Sequence, residues 1–116
     1  MSLWRITKNG ATIGHVATTE GWPDEAPYAL DVAVRWGVIP MDSEREHDAV
    51  LIPDDAVEGE ARQRIRNIPD LAPYEEAAIA AAKRQTRAVD VLDTLCWLVW
   101  GNAAGVRHWV ASGAPA

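Results

Sequence analysis

The stretch LWRITKNGATIGHVA, residues 3–17, decides how the N-terminal part of the chain folds. Asn9 and Gly10 separate two runs in which apolar and polar residues alternate, and this is the strongest short-range signal for a β-hairpin with a two-residue turn. The sequence therefore predicts a hairpin over about residues 3–17, with one apolar face and one polar face.

The register of this hairpin follows from the turn. A two-residue turn pairs Ile6 with Ile13 and Trp4 with His15, and side chains two apart along a strand share a face. These four side chains are therefore predicted to form the apolar face of the hairpin.

Two further segments of the first half carry a structural signal. Residues 26–38 fit a helix that stops at Gly37, and they also fit a strand because apolar residues alternate through the same segment. We favour the helix, with Asp24 as its cap. Residues 49–52 are a short apolar run closed by Pro53, which is most simply a strand.

The second half of the chain is predicted to be helical. Helical spacing of apolar residues extends over about residues 55–67, 73–100 and 103–111. The middle segment is either one long helix or two helices with a break near Arg87. Together with the hairpin, these elements predict a single α+β domain over residues 1–116, with a small antiparallel sheet and a helical C-terminal half.

The ends of these helices carry capping signals. Asp55 and Glu58 have the spacing of a capping box, and Asn102 has the position of an N-cap. The small-residue tail, residues 112–116, is predicted to fray.

Composition bounds the class of protein. The 116 residues are 48% hydrophobic and 24% charged, as in a folded globular chain. Cys96 is the single cysteine, so one chain cannot form a disulfide, which suits a reducing compartment. The start shows no secretory signal, and the apolar residues 89–100 are too short to span a bilayer. These features predict a cytoplasmic protein that is not inserted in a membrane.

Charge is distributed unevenly along the chain. The net charge is −6, but residues 1–19 carry +2, residues 20–60 carry −10 and residues 61–116 carry +2. A field of this size steers a positively charged partner and makes association depend on salt. The acidic third of the chain is therefore the candidate binding surface.

Acidic residues recur through this third. In an extended loop, side chains two apart project to one side at roughly 6.5–7 Å, close to the spacing of phosphates along one nucleic-acid strand. Such an array can compete with nucleic acid for a groove rich in lysine and arginine. The alternative is that the acidic residues form a solvated loop that only keeps the protein in solution. The candidate partner-binding residues are Asp42, Glu44, Glu46, Asp48, Asp54, Asp55, Glu58 and Glu60.

The residue types needed for catalysis or metal binding are not brought together. His15, His47 and His108 lie in three separate segments, Cys96 lies on an apolar helix face, and His47 is predicted to be a solvated loop residue. An EF-hand calcium loop would need Gly and Glu where the acidic loop has His47 and Pro53. Nucleophile motifs and phosphate-binding glycine clusters are missing. We therefore expect no enzyme activity, no metal site and no cofactor, and the sequence pI of 4.9 argues against direct nucleic-acid binding.

A second candidate interface lies near the C-terminus. Apolar residues there cover more of the helix circumference than one core-facing stripe requires, and tryptophan suits interfaces because it is both apolar and a hydrogen-bond donor. Packing within the domain, or contact with a second copy in a homodimer, would bury them. The candidate residues are Trp97, Trp100 and Trp109.

These features together predict a small acidic protein-interaction domain. The leading hypothesis is an inhibitor or regulator that docks on a basic, nucleic-acid-binding surface of a protein or nucleoprotein complex and blocks it by charge mimicry and steric exclusion. Anti-CRISPR-type accessory proteins of phages act in this way, an analogy that rests on size and charge alone. The alternative is a structural or assembly subunit, for example of a phage or mobile element, that oligomerises through the Trp-rich C-terminal helix.

Overall fold

A computed structural model of the chain describes residues 1–19 and 23–112. The chain divides into two units, Met1–Asp54 and Asp55–Ala116. Within the described residues, the first unit contains three strands and one α-helix, and the second contains four α-helices. The predicted α+β class is confirmed, and a single domain over residues 1–116 remains a prediction that unfolding experiments can test.

The predicted N-terminal hairpin is confirmed. Strands β1 (Ser2–Lys8) and β2 (Ala11–Thr18) pair antiparallel around Asn9 and Gly10, whose φ angles are 52° and 81°. A type I′ turn needs positive φ at both positions, which asparagine tolerates and glycine adopts freely. The turn therefore closes the hairpin directly after β1.

The predicted register is wrong beyond the pairs Lys8–Ala11 and Thr7–Thr12, which lie next to the turn. A β-bulge lies between Ile6 and Thr7, so that Ile6 pairs with Gly14 and Trp4 pairs with Val16. Ile13 is the extra residue in β2, and its side chain is exposed. The apolar face of the hairpin is therefore formed by Trp4, Ile6 and Val16.

Gly14 gives the physical reason for this shift. A Cβ atom at residue 14 would lie 2.8 Å from Cγ1 of Val38, which is too close for two carbon atoms. The missing side chain makes room for Val38 on the apolar face, and Ile13 lies outside it. His15 pairs with Arg5 on the opposite face, so its predicted place on the apolar face is wrong.

The short strand predicted over residues 49–52 is confirmed as β3 (Asp48–Ile52). It pairs antiparallel with β1, and the sheet order is β2-β1-β3. The register of β3 against β1 is continuous from Thr7 and Asp48 to Leu3 and Ile52. β1 is therefore the central strand, and β3 lies at one edge of the sheet.

Helix α1 (Ala26–Arg35) confirms the preference for a helix over residues 26–38. Its N-cap is Glu25 and no side chain caps it, so the predicted cap at Asp24 is wrong; a proline in the first turn supplies the helical φ instead. One face of α1 packs on the apolar face of the sheet. The buried cluster between this helix and the sheet consists of Trp4, Ile6, Val16, Ala29, Val32, Ala33 and Ile39.

The second unit confirms the predicted helices and places a break in the middle segment. Its helices are α2 (Val57–Arg66), α3 (Glu75–Lys83), α4 (Ala88–Trp100) and α5 (Ala103–Ala111). The break between α3 and α4 lies at residues 84–87, as the second alternative predicted. The largest fully buried side chains of this unit are Val57, Ile65, Ile79, Cys96, Leu98 and Val106.

Of the two caps predicted for helices of the second unit, one is confirmed. The Asn102 side chain accepts a hydrogen bond of 3.1 Å from the Gly105 backbone N–H and so caps α5. The capping box at Asp55 and Glu58 is wrong, because Asp54–Ala56 forms a 3₁₀ turn and Ala56 is the N-cap of α2. No described helix combines the length and the apolar character that crossing a membrane requires. Beyond Ser112, the predicted frayed tail lies outside the described residues.

Candidate protein-interaction surface

Two buried polar side chains hold the acidic loop after α1 in one shape. The Ser43 hydroxyl donates to the Pro40 carbonyl at 2.5 Å, and His47 Nδ1 donates to the Ser43 carbonyl at 2.7 Å. A carbonyl oxygen can only accept, so Nδ1 carries the proton. Both side chains are buried, so the predicted exposure of His47 is wrong. The Ser43 hydroxyl contacts a carbonyl rather than the imidazole, which is not the geometry of an activated nucleophile.

The acidic loop is not extended as predicted. Glu44–Glu46 forms a 3₁₀ turn, and Asp42 before it has a φ of 64°, in the left-handed region that aspartate tolerates. Successive side chains of a 3₁₀ turn are about 120° apart, so Glu44 and Glu46 point to different sides. The acidic side chains of this turn are therefore not spaced like the phosphates of a nucleic-acid strand, and the turn resembles nucleic acid only in its negative charge.

Most of the candidate acids of the first unit are exposed. Glu44 is half-buried, and exposed Glu46 lies 3.9 Å from the Lys8 ammonium. With nine acidic and four basic residues, the first unit carries a net charge of −5, whereas the second carries −1. Among the candidate acids of the first unit, those that are exposed and form no ion pair within the described part of the chain are Asp42, Asp48 and Asp54.

Two exposed apolar side chains, Trp36 and Met41, lie shortly before the acidic loop in the sequence. α1 ends in a Schellman motif, in which the Gly37 N–H donates to the Val34 carbonyl at 3.1 Å and the Val38 N–H donates to the Ala33 carbonyl at 2.9 Å. Gly37 has a φ of 73°, as this motif requires. Trp36, directly before Gly37, is 71% exposed, and Met41, four residues after this glycine, is 78% exposed.

Sequence reasoning missed Trp36 and Met41 as candidate binding residues. The available signal was a tryptophan directly before a helix-ending glycine. Tryptophan and methionine are enriched at protein interfaces. They add an apolar element to a surface predicted from charge alone.

The candidate acids of the second unit are used differently. Glu58 accepts from Lys83 at 2.9 Å and from Arg62 at 3.3 Å, and the hydrogen bond from Lys83 is the main reason why the pKa of Glu58 is lowered. Asp55 is exposed, and Glu60 is half-buried. Glu58 is therefore already neutralised within its own unit.

Glu58 is part of a larger ion-pair network. Buried Glu75 accepts from Arg62 Nη1 at 3.0 Å, and it accepts from both Nε and Nη2 of Arg66. Arg62 also donates to Glu76 at 2.6 Å. The pKa of Arg62 is raised, mainly by its hydrogen bond to Glu76 and to a smaller extent by the one to Glu75. The pKa of Glu75 is lowered, mainly by hydrogen bonding from Arg66. These arginines stabilise the second unit by pairing with its acids.

Arg64 serves a different purpose from its neighbours on α2. Its Nη1 donates to the carbonyls of Leu98 and Val99, each at 3.0 Å. These carbonyls belong to the last turn of α4, where backbone acceptors have no partner inside the helix and the helix dipole favours a cation. Burial lowers the pKa of Arg64, and nearby Arg107 adds to this shift. Arg64 is thus a side-chain cap for α4.

The predicted tryptophan interface is partly used within the second unit. Trp97 and Trp109 pack edge to face, with ring centroids 6.0 Å apart and planes at 76°. Trp97 also lies against Gly101 and Gly105, and a Cβ at Gly101 would lie 2.6 Å from the Trp97 carbonyl oxygen. Trp97, Trp100 and Trp109 are all half-buried. Assembly through these residues remains a prediction.

Within residues 1–19 and 23–112, no three His, Cys, Asp or Glu side chains are grouped closely enough to hold a metal ion. Comparison with protein-family models, curated proteins and solved structures finds no match to this chain. The fold and the surface together define a small α+β protein whose first unit presents acidic and aromatic side chains.

Proposed function

We propose that the first unit binds a basic surface on a protein or nucleoprotein complex and inhibits or regulates it by occupying that surface. One observation carries this proposal, the contrast between the two units. The second unit neutralises Glu58 and Glu75 internally, whereas the first leaves the carboxylates of Asp42, Asp48 and Asp54 exposed.

Each kind of exposed group would have its own role in the complex. Unpaired carboxylates attract a positively charged surface over a distance and raise the rate of association at low salt. Trp36 and Met41 can bury apolar area once contact is made, which slows dissociation. The partner that fits is a surface rich in lysine and arginine around an apolar recess. A nucleic-acid-binding groove has the required charge, and its occupation would exclude the nucleic acid.

The test compares two variants with the same change of net charge. The first carries Asp42→Asn, Glu44→Gln, Glu46→Gln and Asp48→Asn. The control carries Asp24→Asn, Glu25→Gln, Asp31→Asn and Glu76→Gln. Wild type serves as bait in the native host, and the association rate of the recovered partner is then measured against salt concentration for all three proteins.

The proposal expects a steep salt dependence for the wild type and for the control, and a shallow one for the acidic-loop variant. It also expects slower association of the acidic-loop variant at low salt, by about tenfold or more. Equal association rates and equal salt slopes for the two variants would refute the proposal, because net charge would then matter and its position would not.

A further inference from the structure

The outer edge of β3 is the best candidate for a strand-pairing site. Within the described residues β3 pairs with β1 alone, so one row of its backbone N–H and C=O groups faces away from the sheet. Val50 and Leu51 are 46% and 43% exposed. Because neighbouring residues of a strand point to opposite faces, these two side chains offer apolar area on both sides of the open edge.

The other edge of the sheet is built differently. β2 contains the bulge at Ile13, and bulges interrupt the regular spacing of backbone donors and acceptors that an added strand needs. β3 has no bulge in its register with β1, from Asp48 to Ile52. β3 is therefore the more regular of the two edges.

Charge decides what the open edge can accept. Asp48 begins β3, exposed Asp54 follows its end, and Glu46 precedes it by two residues. A second copy paired antiparallel about Val50 would bring Asp48 of one copy opposite Ile52 of the other, two residues from its Asp54. The acidic ends of the two copies would then lie close together, and like charges across a strand pair are destabilising. The acidic ends thus disfavour a second copy and favour a strand with lysine or arginine at its ends.

We propose that β3 binds an extended segment of a protein partner by strand addition, and that this segment has apolar or β-branched residues at its centre and basic residues at both ends. Backbone hydrogen bonds along β3 give affinity, Val50 and Leu51 contact the centre of the segment, and Asp48 and Asp54 pair with its ends. This inference rests on the proposed function and names the part of the basic partner that docks.

The experiment uses the full chain and a synthetic probe. The probe is a capped heptapeptide, lysine-threonine-valine-threonine-valine-threonine-lysine, and its control has the same sequence with alternate backbone nitrogens methylated. Backbone amide shifts and hydrogen exchange of the isotope-labelled protein locate the binding. We expect slower exchange at amides of Asp48–Ile52, and an affinity for the methylated peptide at least about tenfold lower.

Matched protein variants test which edge of the sheet binds the peptide and which acidic residues contribute to binding. Val50→Lys on β3 should weaken binding about tenfold or more, whereas Ile13→Lys, at a similarly exposed apolar position on β2, should change it less than about twofold. Asp48→Asn with Asp54→Asn should weaken binding at low salt, and Asp24→Asn with Glu25→Gln should not.

The outcomes distinguish this inference from the proposed function. If both peptides bind equally, or if protection falls on β2, strand addition at β3 is wrong, while a dependence on Asp48 and Asp54 would still support the acidic surface. If the charge variants have no effect, the pairing of Asp48 and Asp54 with basic ends is wrong, whereas the proposed function is decided by the salt dependence measured with the native partner. A dimer of the chain that Val50→Lys disrupts would identify a second copy as the occupant and overturn the inference.

Discussion

Replacing Arg64 with methionine should lower the free energy of unfolding by about 1.5 kcal/mol. Methionine keeps an unbranched apolar stem and removes the guanidinium, which donates to the Leu98 and Val99 carbonyls at 3.0 Å. A hydrogen bond that involves a charged group contributes roughly 1.5–3 kcal/mol. The lower end applies because one nitrogen makes both bonds and because partial burial of the charge offsets part of the gain.

The size of the fall in melting temperature also shows whether the whole chain unfolds in one transition or the second unit unfolds by itself. The entropy of unfolding is about 2.1 cal/mol/K for each residue. If all 116 residues unfold together, a loss of 1.5 kcal/mol lowers the melting temperature by about 6 °C. If Asp55–Ala116 unfolds by itself, the same loss lowers it by about 12 °C. Urea and thermal denaturation, followed by far-UV circular dichroism, measure both quantities.

Two further variants serve as controls. Arg84→Met removes an exposed arginine at the end of α3 and should change the free energy of unfolding by less than about 0.5 kcal/mol. Arg64→Lys keeps a cation near the end of α4 and should recover part of the loss. If Arg64→Met is as stable as the wild type, or if Arg84→Met is equally costly, the assignment of Arg64 as the cap of α4 is wrong.

Three more perturbations test other parts of the structure. Glu75→Gln should lower the melting temperature at neutral pH, because hydrogen bonds from Arg66 hold the pKa of Glu75 below its ordinary value of 4.5. The contribution of the ionised Glu75 to stability is complete above pH 4.5 and is lost as the pH falls through the lowered pKa. The melting temperatures of the wild type and of Glu75→Gln should therefore converge in strong acid, and a constant difference between them would contradict this role of Glu75. Gly14→Ala should cost about 1–3 kcal/mol by urea denaturation because the new Cβ meets Val38. Adding Val38→Ala should recover about 1 kcal/mol relative to simple additivity, and strictly additive losses would refute the contact. Trp36→Ala should change the free energy of unfolding by less than about 0.5 kcal/mol while weakening the partner complex about tenfold or more in a binding titration, and the reverse pattern would place Trp36 in the core.

Features encoded by neighbouring residues could be predicted from the sequence. The Asn-Gly turn, the helical spacing of the second half and the cap at Asn102 each depend on a few consecutive residues. The register of the hairpin could not be predicted, because the bulge depends on the contact between Gly14 and Val38, which are far apart in the sequence. The capping box is wrong because Asp54–Ala56 forms a 3₁₀ turn, and Glu58 pairs with Lys83, which is far away in the sequence.

The candidate surface was predicted only in part. Charge arithmetic identified the acidic third, because net charge is a property of composition. The 3₁₀ turn at Glu44–Glu46 depends on the loop shape that His47 stabilises from the interior, and burial of a histidine is not visible in composition. The exposure of Trp36 and Met41 depends on how the chain leaves α1. These contacts determine which charges and apolar groups face solvent.

The edge-to-face pair of Trp97 and Trp109 has an optical consequence. Two indole rings 6.0 Å apart and strongly inclined couple their electronic transitions, which produces a paired positive and negative band in circular dichroism. Both rings belong to the second unit, so this couplet reports on that unit alone and should disappear in Trp109→Ala. Since Trp4 and Trp36 lie in the first unit, the chain carries separate natural chromophores in each half, and its unfolding can be followed without an added label.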